Sequence, residues 1–247
     1  MTDTALLRKD LTRPMADKAI SLVFPLRCPV CDRPVWPPGE KICLGCLKKL
    51  KAVTPPVCEK CGKKIRLSEG LCEDCRKTAH VFYRSRGVFE YKCVREALYR
   101  FKYLGRREYA AVFAEMTADI LKEYIAFSRP DVIVAVPLSA EKENKRGYNQ
   151  SYDYAMELSK VTGIPALKDA VRRVKNTAPM KLLSPEERRK NLKNAFKSGQ
   201  NVVKSLCILL VDDIYTTGAT MDECAQVLLD MGAQRVYCIT LASGEGV

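Results

Sequence analysis

A chain of 247 residues is long enough for one substantial core and a small accessory module, and 47% apolar with 29% charged residues is a globular rather than a disordered composition. Lys and Arg number 42 against 29 Asp and Glu, a net charge of +13. No apolar run reaches the length of a membrane span, and Arg8, Lys9, Asp10, Arg13, Asp17 and Lys18 interrupt the region where a signal peptide needs an apolar core. The expectation is a soluble, cytoplasmic protein without a transmembrane segment.

The basic surplus is uneven. Residues 1–80 hold 16 basic and 9 acidic residues, 81–130 hold 10 and 6, and 131–247 hold 16 and 14. A polyanion such as nucleic acid, or an anionic membrane surface, is a natural partner for the first half; a solubilising surface would explain the charge equally well.

In chain order, residues 1–25 include a stretch from Pro14 to Phe24 with Met15, Ala19, Ile20, Leu22 and Val23 near helical spacing, ended by Pro25. Residues 26–80 contain four C-x-x-C pairs: Cys28 and Cys31, Cys43 and Cys46, Cys58 and Cys61, Cys72 and Cys75. A two-residue gap lets two thiolates reach one metal from a single tight knuckle, and a second knuckle completes a tetrahedron. Disulfides suit exported chains, and thioredoxin-like chemistry needs a different setting, so two structural Zn2+ sites are expected. Sequential pairing gives the groups 28/31/43/46 and 58/61/72/75, a double zinc ribbon, but spacing leaves interleaved pairings open. Cys93, Cys207, Cys224 and Cys238 stand singly in apolar surroundings and read as small core residues.

Residues 81–247 form the main domain. A strand over 81–91 is followed by two helices separated near Gly105, a buried strand over 131–137, a helix around 149–161, and an irregular basic stretch over 165–183. Ser184-Pro185-Glu186-Glu187 starts another helix. CILLV (207–211) is a buried strand, a helix runs from Gly218 to Met231, and RVYCITLA (235–242) is the last strand. Strands alternating with helices imply an α/β fold built on a doubly wound parallel sheet.

In such a sheet, ligands bind beyond the carboxyl ends of the strands. Asp212 and Asp213 fall there, followed by Thr216, Thr217, Gly218, Ala219 and Thr220, a turn that feeds a helix N-terminus. Free backbone N–H groups and the helix dipole favour an anion at that turn, and carboxylates accept hydrogen bonds from vicinal hydroxyls. The combination fits a phosphorylated sugar. A helix cap alone would explain one acid but not two.

This stretch, ILLVDDIYTTGAT, resembles the phosphoribosyl-pyrophosphate (PRPP) motif of type I phosphoribosyltransferases, with Tyr215 in place of the usual aliphatic residue. The four knuckles, FKYLGRREYA (101–110), VPLSAEKENKRGYNQSYDYA (136–155) and RRVKNTAPMKLLSPEERRKNLKNAF (172–196) resemble one branch of that superfamily, the ComF family. The resemblance covers residues 20 to 242. It implies a type I phosphoribosyltransferase fold with a flexible hood, preceded by the zinc-ribbon module. It also implies that Asp212 and Asp213 serve as catalytic and ribose-binding acids, with the phosphate held at 216–220. Leu138, Ser139, Lys142, Arg146 and Gly147 would meet pyrophosphate together with Mg2+. Arg172, Arg173 and Lys175 match the start of a mobile flap, in which Met180 replaces the family's Gln. Arg188, Arg189 and Asn191 match a family helix, but for Arg188, Arg189 and Lys190 a solvated helix face is the better reading. The lone histidine, His80, reads as structural or surface rather than catalytic.

The resemblance further implies a part in DNA uptake and natural transformation, near the inner face of the membrane with a helicase and a translocation channel. Lys92, Arg95, Arg100, Lys102, Arg106 and Arg107 alternate with Tyr91, Tyr99, Phe101 and Tyr103, the mixture a single-stranded DNA groove uses. The same aromatics at helical spacing could be a core face. Two functions stay open at this level: a PRPP-binding protein of DNA uptake that also binds single strands, and an active phosphoribosyltransferase with an unidentified base or amine acceptor.

Overall fold

The computed structural model describes residues 26–37, 40–66, 70–175, 185–200, 203–204 and 206–244. The expected helix at 14–24, the flap after residue 175 and Met180 lie outside the described residues, as do the side chains of Arg188 and Arg189. The chain divides into two compact units, residues 1–48 and 49–247, with one cysteine group in each.

In the first unit, a knuckle forms around Cys28 and Cys31: Cys28 N–H donates to Arg33 O at 2.9 Å, and Asp32, at φ +57°, donates its N–H to Cys28 O at 2.8 Å. Cys43 then caps a one-turn helix, α1 (Leu44–Leu47), which presents Cys46. The second unit repeats the plan. Cys58 N–H donates to Lys63 O at 2.7 Å, Gly62 at φ +74° donates to Cys58 O at 2.9 Å, and Cys72 caps α2 (Glu73–Lys77). Glycine is required at 62 for a second reason, because a Cβ there would lie 2.6 Å from Ser85 O.

The rest of the second unit is a parallel sheet with helices on both faces. Its elements are β1 (Arg84–Glu90), α3 (Tyr91–Tyr103), α4 (Tyr109–Ile120), α5 (Lys122–Ser128), β2 (Val132–Ala135), α6 (Ala140–Arg146), α7 (Gln150–Thr162) and β3 (Ala166–Leu167). They continue with β4 (Val171–Arg173), α8 (Pro185–Leu192), β5 (Phe196–Ser198), β6 (Cys207–Tyr215), α9 (Ala219–Asp230) and β7 (Arg235–Ser243). The sheet order is β1-β7-β6-β2-β3, all parallel, and β4 pairs antiparallel with β5 in a separate ribbon.

Burial follows from the pattern. Ile208, Leu209, Leu210 and Val211 are fully buried, as a central strand of a parallel sheet requires. Ile208 and Leu210 share one core with Val132, Val134, Val236, Cys238 and the α9 residues Cys224, Ala225 and Leu228. The alternate residues face the opposite side, where α7 packs on β2 and β6 and α3 packs on β1 and β7. From β2 the chain moves outward to β3, and from β6 it moves the other way to β7. The direction of winding therefore reverses between β2 and β6, and the carboxyl ends of those two strands frame a crevice.

Four elements differ from the expectation. The strand expected over 207–211 runs on to Tyr215, because β7 is long enough to keep pairing: Asp212 lies opposite Thr240 and Tyr215 opposite Ser243. A separate helix, α6, precedes α7, divided from it by Gly147 at φ +80°. The basic stretch after 165 contains β3 and β4, strands of two and three residues, too short to leave a periodic signal.

Candidate functional site

On β6 the sheet register decides the position of the acids. β2 stops at Ala135, opposite Val211, so Asp212 and Asp213 lie past the end of β2 while still held by β7. They open onto the crevice from within a strand rather than from a loop. Asp213 is buried, and Lys102 from α3 forms an ion pair with its Oδ2. Ser151 in the first turn of α7 donates its hydroxyl to Asp212 Oδ1 at 2.8 Å, and Asp213 N–H donates to the same oxygen at 2.9 Å.

The two acids are therefore unlike. Burial and the adjacent Asp213 push the Asp212 carboxyl up to about 8. Burial works against charge at Asp213 as well, but Lys102 outweighs it and holds that carboxyl below its usual value. At neutral pH the pair carries close to one negative charge, matched by one ammonium.

Cations crowd the far side. Lys142 is pushed below its usual value by burial and by the neighbouring Arg173 and Arg146, with Lys102 adding to the repulsion. An isolated parallel bridge joins Ser139 to Arg173, so β4 brings its arginine against the loop after β2. Ser139 is 2% exposed and its Oγ has no hydrogen-bond partner among the described residues. Arg146 donates to Gln150 Oε1 and lies 5.0 Å from the ring centre of Tyr103. Leu138, just before α6, is half-buried, and Gly147, just after it, is exposed. Like charges gathered in a crevice are costly unless an anion joins them.

After β6 the chain turns through Thr216, Thr217 and Gly218 into α9, with Thr216 exposed and Thr217 and Thr220 partly covered. The helical ladder begins with Asp222 N–H to Gly218 O at 2.8 Å. The amides of 219–221 precede it and point out of the helix N-terminus. Gly218 sits at φ +79°, and its tight surroundings lie behind the turn rather than toward the crevice. A Cβ there would meet Tyr215 OH at 2.5 Å and His80 Cε1 at 2.8 Å, so a side-chain cluster behind the turn requires the glycine.

The nucleic-acid candidates, four on α3 and Arg106 and Arg107 just beyond it, separate into two sets. Lys92 and Arg95 are exposed in line with Tyr99 and Tyr103, whose rings lie 5.2 Å apart; the spacings of three, four and four residues make one stripe. Lys102 does not belong to that face: it turns inward to Asp213, and Phe101 is fully buried in the core. Arg106 lies 3.9 Å from Glu108, and Arg107 makes a bidentate pair with Asp153 at 2.6 and 2.8 Å. Arg100 is half-buried.

Sequence reasoning missed Ser151, although Asn149-x-Ser151 is legible as a helix start: Asn149 Oδ1 accepts from Ser151 N–H at 3.0 Å. It missed the inward role of Lys102 because nothing local shows that α3 crosses the end of β6.

The eight cysteines resolve as sequential groups. In each, the sulfurs lie within 4.8 Å of one another, Cys28 with Cys31, Cys43 and Cys46, and Cys58 with Cys61, Cys72 and Cys75. Burial, with the neighbouring thiols, pushes Cys46 up to about 12, and burial does the same at Cys75. Four thiolates this close together repel one another unless a cation joins them, so the donor set fits a metal. Of the remaining cysteines, Cys224 and Cys238 are core residues, whereas Cys93 and Cys207 are half-buried.

A family model described as double zinc ribbon domain matches residues 19–79. With four thiolates each and no open position, the two groups are Zn2+ sites of the structural kind. Curated proteins are similar over nearly the whole chain. Competence protein F of Haemophilus influenzae is 31% identical over 231 residues, 89% of this chain and 97% of that protein. Competence protein ComFC of Bacillus subtilis is 30% identical over 251 residues, covering 92% and 99%. DNA utilization protein YhgH of Escherichia coli K12 is 30% identical over 227 residues, covering 88% and 98%. Among solved structures, the allosteric regulatory enzyme of purine biosynthesis gives a TM-score of 0.39 at 19% identity over 57% of this chain and 29% of that one. The purine phosphoribosyltransferase of Pyrococcus horikoshii gives 0.32 at 16% identity over 55% and 87%. No helix among the described residues is long and apolar enough to cross a membrane.

Proposed function

Because the chain belongs to the ComF family of competence and DNA utilization proteins, we propose that it binds PRPP in the crevice between β2 and β6 and acts in DNA uptake or utilization. One observation carries the PRPP reading: an acid pair, a helix N-terminus and a cluster of cations meet at the point where the winding of the sheet reverses.

Each part of PRPP has a counterpart. The 5-phosphate accepts from the amides and threonine hydroxyls of 216–220. The ribose hydroxyls donate to Asp212 and Asp213, whose outer positions Ser151 and Lys102 fix. The pyrophosphate lies toward Leu138, Ser139, Lys142, Arg146 and Gly147, where the Ser139 hydroxyl gains a partner and the repulsion between cations is relieved. Mg2+ arriving with pyrophosphate supplies further neutralisation of the leaving group. This chain's residues orient the ribose and gather positive charge where negative charge departs, which is the larger part of what displacement of pyrophosphate needs.

The exposed stripe of Lys92, Arg95, Tyr99 and Tyr103 supports single-stranded DNA as a second ligand, cations for phosphates and rings for bases. A cytoplasmic setting, with an uptake helicase and translocation channel as neighbours, belongs to the same proposal.

Calorimetry with PRPP and Mg2+ tests the site. The double variant Asp212→Asn, Asp213→Asn loses binding while keeping affinity for a single-stranded oligonucleotide; unchanged PRPP affinity removes the acid pair from the assignment. A screen for pyrophosphate release with bases, amines and DNA then decides between the two functions. Turnover identifies an acceptor and makes the chain a transferase, and binding without turnover makes it a PRPP-responsive DNA protein.

A further inference from the structure

His80 and Tyr215 have no part in the roles above. His80 is the sole histidine of the chain and Tyr215 the one residue that departs from the PRPP motif. They meet behind the phosphate turn. The His80 side chain is 1% exposed, with Nδ1 2.8 Å from Asp222 Oδ2 and Nε2 3.3 Å from the Tyr215 hydroxyl. Val81 N–H donates to the other oxygen of Asp222 at 2.7 Å, so the first turn of α9 is tied at both carboxylate oxygens to residues 80 and 81. The position a Cβ would take on Gly218 is filled by the Tyr215 hydroxyl and the His80 ring.

The same cluster reaches the second four-cysteine group. Cys58, Cys61 and Cys72 share one core with Phe82, Tyr215 and Ala219. Lys63, inside the knuckle, lies 5.8 Å from the Tyr215 ring centre and pairs with Asp74 of α2 at 2.6 Å. His80 stacks on Phe82 at 4.8 Å, and Phe82 meets Tyr215 edge-on at 6.3 Å. From metal knuckle to phosphate turn the packing is continuous, buried and hydrogen-bonded.

We propose that His80, with Tyr215 and Asp222, is a positioning residue that transmits the order of the second zinc knuckle to the phosphate-binding turn, so that zinc at 58/61/72/75 sets the turn's affinity for a phosphorylated ligand. The proposal rests on the PRPP reading for the identity of that ligand, but not for the coupling itself. It also gives a physical reason for the tyrosine: an aliphatic side chain at 215 would fill the same core and offer His80 Nε2 no partner. A turn held in place before the ligand arrives does not lose its freedom on binding, and the difference appears as affinity.

Two measurements separate the coupling from the ligand. The first is amide hydrogen exchange at residues 216–221 in the zinc-loaded, ligand-free protein. Exchange there is expected to speed up in His80→Ala and Tyr215→Phe, and in Cys72→Ser with Cys75→Ser, but not in Cys43→Ser with Cys46→Ser, which removes zinc from the first group. The second is calorimetry with PRPP and Mg2+, in which His80→Ala weakens binding about tenfold, the size expected for a lost buried hydrogen bond. His80→Asn, whose amide nitrogen can replace Nδ1 at Asp222, restores most of it, which mere loss of packing would not allow. If His80→Ala does not fold, His80→Asn and Tyr215→Phe decide, with Tyr215→Phe the weaker binder. Unchanged exchange and affinity in a folded His80→Ala overturn the coupling. Faster exchange in a protein that does not bind PRPP leaves the coupling standing and overturns the ligand.

Discussion

Lys102 and Asp213 show how far one ion pair can redirect a residue's meaning. In the sequence Lys102 is one cation among six in a basic, aromatic segment; in the fold its side chain is 18% exposed and faces a carboxylate that is 8% exposed. Removing one member of a buried ion pair leaves the other without a counter-charge, at about 3 kcal/mol or more. Lys102→Met is therefore expected to lower unfolding free energy by that order near neutral pH. Asp213 has a folded-state value below its unfolded one, so the pair's contribution is present above about pH 4 and is lost as pH falls through the lower folded value. Urea denaturation at a series of pH values checks this: the difference between the two proteins should shrink toward acid, and a constant difference would count against the pair. Asp212 has the opposite sign. Its folded value of about 8 lies above the unfolded one, so its contribution is complete below about pH 4 and is lost as pH rises to about 8. Asp212→Asn should remove that part of the decline in stability between those limits, and an unaltered slope would mean that Asp212 is charged throughout. The identity of both acids was legible because a motif fixes them, whereas their inequality was not. It depends on Lys102 and Ser151, which lie 111 and 61 positions from their partners.

Among the elements, those with a long apolar period were legible and those defined by pairing were not. The strands β2, β6 and β7 and the helices α3, α4, α7 and α9 show their burial in their sequences. β3, β4 and β5, of two or three residues each, exist only through their neighbours. The extension of β6 through the acid pair is of the same kind, since a carboxylate inside a strand is tolerated here because β2 has ended and the crevice begins. The turn between α6 and α7 also acts on the site. Asn149 caps α7 and donates its own amide to Val136 O at 3.1 Å, so one side chain joins the end of β2 to the helix that carries Ser151. Replacing it by Ala should cost about 1 kcal/mol, as for other lost helix caps. Through Ser151 it should also weaken PRPP binding. Chemical denaturation reads the first effect and calorimetry the second; a loss of stability with no change in affinity would confine Asn149 to a structural role.

At the level of the whole chain, the four knuckles stand together in the sequence before residue 80, and the compact units divide at 48. The reason is packing: Cys58, Cys61 and Cys72 are 3% exposed or less and share a core with strands about 150 residues further on, so the second knuckle is part of the larger unit. Two truncations distinguish these boundaries. Removal of residues 1–48 takes away 8 basic and 5 acidic residues and leaves the core of the larger unit intact. Removal of 1–80 also strips Cys58, Cys61, Cys72 and His80 from that core, so its thermal transition should fall sharply or vanish. The shorter truncation is thus the one that can test where DNA binds. Part of the cationic excess of the larger unit is paired within it, Lys102 with Asp213, Arg107 with Asp153 and Lys63 with Asp74; Lys92 and Arg95, the latter 3.6 Å from Glu96, are exposed in line with Tyr99 and Tyr103. If that stripe holds a single strand, the protein lacking 1–48 keeps most of its affinity, and Lys92→Ala with Arg95→Ala reduces the slope of log K against log salt by about 1.4, or about 0.7 for each phosphate that is no longer neutralised. An unchanged slope in that double variant, with binding abolished by the truncation, would move the DNA site off α3 and onto the first unit.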